Sequence, residues 1–159
     1  MKTIMLAALM LFGFANANAQ KMKAVDIDYV LAYPHSEDTV YLVNYWATFC
    51  APCMGEISEL NALVERYANK PFKLLMVCLD PVENYPMKLD YFLERKKVSG
   101  ELVWLKEQNA KLFVPKVDEN WEGSIPACFL TRPGRYSKFI EGVISAGKVA
   151  KVVDELFAD

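Results

Sequence analysis

The sequence predicts an α/β fold in which a central mixed sheet is flanked by helices on both faces. Three observations carry this prediction. Segments rich in β-branched, aromatic and aliphatic residues alternate with segments whose apolar residues recur at helical spacing. The strand-like segments are nearly continuous in apolar character, as in strands that are covered on both faces. The chain then closes with a strand–turn–strand pattern followed by one more helix.

The N-terminus has the pattern of a cleavable export signal. Lys2 gives a short positive start, and residues 4–15 form an apolar run that is too short to span a membrane. Residues 17–19 (ANA) fit the small-x-small rule for a cleavage site. We therefore expect a signal peptide over residues 1–19 and one domain over residues 20–159, in the periplasm or otherwise outside the cytoplasm. An uncleaved N-terminal anchor is the alternative.

The first half of the domain begins ambiguously and then alternates strand and helix. Residues 24–34 fit a short strand that leads into a helical turn. Residues 39–46 (TVYLVNYW) are β-branched and aromatic, which is typical of a central strand. Apolar residues then recur at helical spacing over residues 54–67, and Asn69 and Pro71 end that helix.

The alternation continues in the middle of the chain. Residues 72–79 (FKLLMVCL) predict a second buried strand. Pro86 suits the first position of a helix, which extends to about Lys97 on its apolar spacing. Residues 102–105 predict a short strand, whereas residues 107–120 are too mixed to assign.

The last part of the chain predicts a hairpin and a helix. Residues 126–131 (PACFLT) form a strand that opens with proline, and residues 132–135 (RPGR) carry a turn signal. Residues 135–141 return as the second strand of the hairpin. Ser145 is placed to cap a final helix whose valine and leucine residues face inward.

Composition limits the function classes. The chain has 159 residues and a net charge of −2. Removal of residues 1–19 takes away only Lys2 among the charged residues, so the mature net charge is about −3. No basic run stands out, which argues against nucleic acid as a partner. Four cysteines are too few for a disulfide-built scaffold, and a chain of this length does not need one.

The pair Cys50 and Cys53 is the most informative feature of the sequence. A structural zinc site needs four ligands, but Cys78 and Cys128 stand alone in strand-like segments and His35, the one histidine, lies in a polar loop. A CxxC disulfide closes a very small loop and therefore stabilises a fold little. No metal or other cofactor is expected.

A redox couple explains the surroundings of the pair better. A strand leads into Cys50 and a helix begins beside it, so its sulfur would lie over unpaired helical amides. Such a site lowers a thiol pKa from about 8.5 toward neutrality, and the thiolate is the species that attacks disulfides. Pro52 fits the first helical turn, where a missing N–H costs nothing.

At this point the sequence resembles a known family. Residues 46–53 (WATFCAPC) are similar to the WATWCxPC motif of thioredoxin-fold thiol–disulfide oxidoreductases of the TlpA/ResA type, which are exported bacterial proteins. Glu56 matches the glutamate of their CxPCxxE pattern. Residues 121–130 (WEGSIPACFL) resemble the segment that carries their cis-proline. The resemblance covers essentially the whole mature chain.

The resemblance implies a thioredoxin fold and a role for each motif residue. Cys50 would be the nucleophile, Cys53 the buried resolving thiol, and Glu56 a proton carrier for Cys53. Pro126 would be cis, and the Ile125 backbone would pair with an extended substrate segment. An apolar rim around Cys50 would consist of Trp46, Phe49 and Ile125. The partners implied are disulfide-containing protein substrates and a membrane-associated thiol protein that donates electrons.

Several residues remain open to a second interpretation. Asn44 stands where thioredoxin has a buried aspartate, which leaves more of the proton transfer to Glu56. The alternative for Glu56 is a solvated residue near a helix start, where glutamate is favourable in any case. Cys78 and Cys128 are expected to be buried packing residues, with a redox role as the alternative for Cys128. A disulfide between them is not expected, because their strands would flank the active-site strand, beyond disulfide reach.

Three functions therefore compete at the level of sequence. The favoured one is an exported thiol–disulfide oxidoreductase that reduces disulfides of periplasmic proteins. The direction rests on the resemblance and on the uncharged Ala51-Pro52 dipeptide, which adds no positive charge to stabilise the thiolate strongly. A thioredoxin-fold module that binds an extended peptide or a metal without redox turnover is the alternative. A thiol peroxidase on the same fold is the third, and the two-residue spacing of the cysteines argues against it.

Overall fold

The computed structural model describes residues 21–158 and contains a six-stranded sheet with five helices packed on it. The signal peptide expected over residues 1–19 lies outside the described residues. The strands are β1 (Lys23–Val25), β2 (Val40–Trp46), β3 (Phe72–Cys78), β4 (Glu101–Leu105), β5 (Ala127–Arg132) and β6 (Tyr136–Glu141). The helices are α1 (Ile27–Ala32), α2 (Ala51–Arg66), α3 (Met87–Arg95), α4 (Ala110–Val117) and α5 (Ala146–Ala158).

The sheet is mixed, as predicted, with strand order β1-β4-β3-β2-β5-β6. The first four strands in that order run parallel, and β5 and β6 are antiparallel to their neighbours. Strand β2 pairs on both sides and all seven of its residues are buried, which explains its nearly unbroken apolar sequence. The carboxyl ends of β2 and β3 meet at one edge, where Trp46 is in register with Cys78.

Helices cover both faces of the sheet. One face packs against α2, α3 and α5, through residues that include Leu42, Met76, Ile57 and Val153. The other face packs against α1 and α4, through residues that include Val77 and Phe113. Alternate residues of β2 belong to the two clusters because successive side chains of a strand point to opposite faces.

The ambiguous segments have simple explanations. Residues 24–34 contain the last two residues of the three-residue β1 and the whole of the six-residue α1, and each element is too short to produce a clear periodic pattern. Residues 107–120 contain α4, an eight-residue helix with Pro115 inside it, which hides its helical character. Within residues 21–158, no helix is both long enough and apolar enough to cross a membrane.

Candidate active site

Cys50 and Cys53 are joined by a disulfide at the start of α2. Cys50 is the N-cap residue of the helix, and its Sγ accepts a hydrogen bond from the Cys53 backbone N–H at 3.3 Å. Cys50 is 7% exposed and Cys53 1%. The reactive atom expected of Cys50 therefore lies over the unpaired amides of the first helical turn, where an anion is favoured. Pro52 lies within that turn.

The loop before β5 lies against the cysteine pair. The Ile125–Pro126 peptide bond is cis. The carbonyl oxygen of Ile125 is 3.6 Å from the Sγ of Cys50. Pro126 is buried and Ile125 half-buried, while Phe49 is 68% exposed immediately before Cys50. An apolar, partly open surface thus borders Cys50, the more exposed cysteine of the pair.

Glu56 is buried on the inner side of α2. It is 1% exposed, so the alternative of a solvated helix residue is wrong. Its Oε1 accepts from the Ile144 backbone N–H at 2.6 Å, and its Oε2 accepts from the Asn44 side-chain amide at 3.0 Å. Burial raises the pKa of Glu56, while the hydrogen bonds from Ile144 and Asn44 act in the opposite direction. Glu56 lies three residues after Cys53, which places both on the same side of the helix.

Cys78 and Cys128 are unpaired thiols within the described part of the chain, and both are buried. Their strands, β3 and β5, lie on either side of β2, as expected. Burial raises the pKa of Cys128 to about 12, and the nearby Glu56 carboxylate contributes to this rise. Burial likewise raises the pKa of Cys78 far above its usual range. Both positions suit packing.

Asp80 is a site residue that the sequence analysis missed. It follows β3 and is 0% exposed, and its carboxylate accepts from the Thr48 backbone N–H at 2.6 Å and from the Thr48 hydroxyl. Its Oδ2 also accepts from the Asn84 amide at 2.8 Å. Thr48 lies two residues before Cys50, so Asp80 anchors the loop that presents the cysteine. The available signal in the sequence was a single acidic residue just after a predicted strand. Binding sites of α/β sheets often lie at the carboxyl ends of the parallel strands.

Trp46 does not lie where the sequence analysis expected it. The ring is 1% exposed and packs against Phe92, with 5.6 Å between the ring centroids. It belongs to the core beneath the active-site loop and is not part of an exposed rim. The alternation of β2 explains this position. Trp46 lies on the same face of the sheet as Leu42 and Asn44, and that face packs against α2, α3 and α5.

The remaining predicted site residues come together around the disulfide. Phe49 and Ile125 line one pocket beside it, together with Glu107, which the sequence analysis did not single out. In residues 21–158, no group of three or more histidine, cysteine or acidic side chains is arranged to hold a metal ion.

Known protein sequences are similar to this chain. Residues 15–135 match the AhpC/TSA family. The thiol-disulfide oxidoreductase ResA of Oceanobacillus iheyensis is 22% identical over 116 residues, which cover 72% of this chain. The aligned part spans only 56% of the length of that relative.

Solved structures of the thioredoxin fold are also similar. The chain superposes on StoA from Bacillus subtilis with a TM-score of 0.59 and 19% identity, covering 76% of this chain and 86% of StoA. It superposes on a thioredoxin-related protein from Neisseria meningitidis serogroup B with a TM-score of 0.61 and 23% identity, at the same coverage of both chains. These structural likenesses confirm the predicted thioredoxin fold, and the similarity to ResA confirms the resemblance to TlpA/ResA-type proteins. The family match extends over most of the sequence, and the chain belongs to the AhpC/TSA family.

Proposed function

We propose that this protein is an exported thiol–disulfide oxidoreductase that reduces disulfides of other exported proteins through Cys50 and Cys53. The observation that carries the proposal is the disulfide between these residues at the N-terminus of α2, with the Cys53 N–H donating to the Cys50 sulfur. ResA, the curated relative described above, is named as a thiol-disulfide oxidoreductase. A helix N-terminus favours the thiolate that disulfide exchange requires.

The first chemical step uses the reduced protein. The Cys50 thiolate attacks one sulfur of a substrate disulfide, the substrate S–S bond breaks, and a mixed disulfide forms between Cys50 and the substrate. The departing substrate sulfur leaves as a thiolate and takes up a proton. The slight exposure of Cys50 and the near-complete burial of Cys53 support this assignment of nucleophile and resolving thiol.

The second step closes the protein disulfide. Cys53 loses its proton and attacks the Cys50 sulfur, the mixed disulfide breaks, and the second substrate thiol is released. The substrate has then gained two electrons and two protons, and the protein has become the Cys50–Cys53 disulfide. Glu56 is the proton acceptor for Cys53 in this proposal, supported by its burial, its raised pKa and its place one helical turn away.

Substrate contacts follow from the surface around Cys50. We assign the exposed Phe49 ring and the Ile125 side chain to apolar contact. The loop at Pro126 offers backbone groups to an extended segment, a mode of binding that reads backbone more than side chains. Trp46 supports this surface from the core.

Each turnover consumes the dithiol, so the cycle needs an electron-donating thiol protein, which we place at the membrane. The export pattern at residues 1–19 supports a site outside the cytoplasm. N-terminal sequencing of the protein recovered from an extracytoplasmic fraction tests this part. We expect a mature chain that begins at Gln20; recovery of intact Met1 would favour the anchor.

The reduction potential of Cys50–Cys53 tests the direction of electron flow. The leaderless protein is equilibrated with glutathione or dithiothreitol buffers, and alkylated thiols are counted by mass. We expect a reversible couple near the thioredoxin value of about −270 mV. A value near that of a strong oxidant, about −120 mV, would reverse the direction. Absence of a reversible couple would favour the binding module.

A trapping experiment tests the exchange mechanism. The Cys53→Ser variant should accumulate mixed disulfides with extracytoplasmic proteins, because the resolving attack is removed. Cys50→Ser is the matched control and should trap nothing, since the nucleophile is gone. Equal recovery of partners by the two variants would count against exchange through Cys50.

A further inference from the structure

A pocket of about 260 Å³ opens beside the cysteine pair. Its walls include the aromatic rings of Phe49 and Phe113 and the side chains of Leu79 and Ile125. Phe49 immediately precedes Cys50 in the chain, and the Ile125 carbonyl oxygen is 3.6 Å from the Cys50 sulfur. A polypeptide attached to Cys50 would therefore place a side chain next to its own cysteine at this pocket.

The pocket carries one negative charge. Among the described residues that line it, Glu107 alone is charged. Glu107 Oε1 accepts from the Ile27 backbone N–H at 3.2 Å, whereas its Oε2 is buried and has no hydrogen-bond partner in the described part of the chain. Gln108, the other polar side chain of the lining, is already engaged, since it accepts from Val82 N–H and donates to the Leu105 carbonyl.

A carboxylate with a buried oxygen that accepts no hydrogen bond attracts cations more strongly than the carboxylate of an exposed surface residue. Buried polar atoms are usually paired, but this carboxylate oxygen is buried and has no protein donor among the described residues. Its charge is consequently less screened by solvent than that of an exposed side chain. The apolar walls suit the alkyl stem of a long basic side chain, and the rings of Phe49 and Phe113 can contact its charged end.

We propose that this pocket selects substrate segments that carry lysine or arginine next to the attacked cysteine. The alkyl stem lies between Phe49 and Phe113, and the cationic head is drawn toward Glu107. The inference rests on the proposed function, and it adds to it a substrate class: disulfides whose cysteine has a basic neighbour. Recognition is by charge and stem together, so an acidic neighbour is disfavoured.

The test uses peptides with one cysteine blocked by thionitrobenzoate. Thionitrobenzoate is a good leaving group, so reduced protein attacks the peptide sulfur and the released chromophore reports the rate. The peptides share one sequence and carry lysine, glutamine or glutamate on the N-terminal side of the cysteine, with a second set varied on the C-terminal side. In at least one set, the lysine peptide should react about fivefold faster than the glutamate peptide at low salt. The ratio should approach one in about 1 M salt.

Glu107→Gln tests the residue itself, because glutamine keeps the Oε1 acceptor for Ile27 and loses only the charge. We expect the lysine-to-glutamate ratio of this variant to fall to about one at low salt. Glu155→Gln is the matched control: it removes the same charge from an exposed position on α5, which packs on the opposite face of the sheet from Phe113. It should keep the wild-type ratio.

The outcomes separate the inference from the function on which it rests. A wild-type ratio near one in both peptide sets, or an unchanged ratio in Glu107→Gln, would overturn the basic-residue preference while leaving disulfide exchange in place. The first of these results would indicate a pocket for apolar side chains only. If no peptide disulfide and no glutathione disulfide reacts with the reduced protein, the proposed function fails, and this inference fails with it.

Discussion

Asn44 donates a hydrogen bond from its side-chain amide to Glu56 at 3.0 Å, and each of these two side chains is 1% exposed. The amide oxygen of Asn44 is buried and has no hydrogen-bond partner among the described residues. Asn44 therefore holds both a donor and an unused acceptor beside the same carboxyl group. The donor suits an ionised Glu56, and the acceptor, after rotation of the amide, suits a protonated one.

Replacement of Glu56 by glutamine should make the protein's stability less sensitive to rising pH. The folded pKa of Glu56 is raised above the ordinary value of 4.5, so its protonated form is favoured on folding. In the wild type, the stability that the protonated Glu56 side chain contributes is therefore fully present below pH 4.5. It is lost as pH rises through the raised pKa of the folded protein. The glutamine side chain cannot ionise, and its amide can donate to the free Asn44 oxygen.

Denaturant unfolding of the oxidised proteins between pH 4 and pH 8 measures this effect. The unfolding free energy of Glu56→Gln minus that of wild type should increase with pH over this range, because only the wild type loses stability as Glu56 ionises. Glu59→Gln is the matched control, because Glu59 lies on the same helix and accepts from Ala146 N–H at 2.9 Å but is exposed. A difference that stays constant with pH for Glu56→Gln would contradict a raised pKa.

The same substitution should slow the resolving step of exchange. Glu56 is proposed to take the proton of Cys53, and general base catalysis of this kind is worth about a hundredfold or more. In single-turnover experiments, closure of the Cys50–Cys53 disulfide from a preformed mixed disulfide should slow at least about tenfold in Glu56→Gln at neutral pH. Glu59→Gln should resolve at the wild-type rate. If the pH–rate profiles of Glu56→Gln and wild type coincide, Glu56 is a structural residue only.

The elements of the fold were predictable where local patterns decide them. The apolar run of β2 and the helical spacing of α2 depend on neighbours in sequence, and both were predicted to within a few residues. The contacts that define the site connect distant residues. Glu56 meets Ile144, which is 88 residues away, and Asp80 meets Thr48, 32 residues away. A local pattern does not contain such pairs, so the burial of Glu56 and the role of Asp80 required the structure.

Loss of the Thr48 hydroxyl should weaken the anchor of the active-site loop. That hydroxyl donates to the fully buried Asp80 carboxylate, and hydrogen bonds to charged groups contribute about 1.5–3 kcal/mol. Thr48→Val keeps the shape and removes the donor, so the unfolding free energy should fall by about 2 kcal/mol. Attack by Cys50 on a model disulfide should also slow, because the loop that presents it is less constrained.

Thr48→Ser supplies the comparison for this experiment. Serine keeps the hydroxyl and removes only a methyl group, so it should retain most of the stability and of the Cys50 reaction rate. If Thr48→Val and Thr48→Ser unfold at the same denaturant concentration, the hydroxyl contact with Asp80 contributes nothing measurable, and the loop is held by the Thr48 N–H alone.

Alkylation should distinguish the four cysteines. Cys78 and Cys128 are both 0% exposed, and burial raises the pKa of Cys128 to about 12 and that of Cys78 still further from its usual range. At pH 8 both remain thiols without access to reagent, while Cys50 reacts as a thiolate at the helix N-terminus.

Reduced native protein treated with iodoacetamide should therefore gain at most two adducts by mass, on Cys50 and Cys53. The same protein unfolded in guanidinium should gain four. A third adduct under native conditions would show that Cys78 or Cys128 becomes accessible in the folded protein, and would make that residue a candidate partner in exchange.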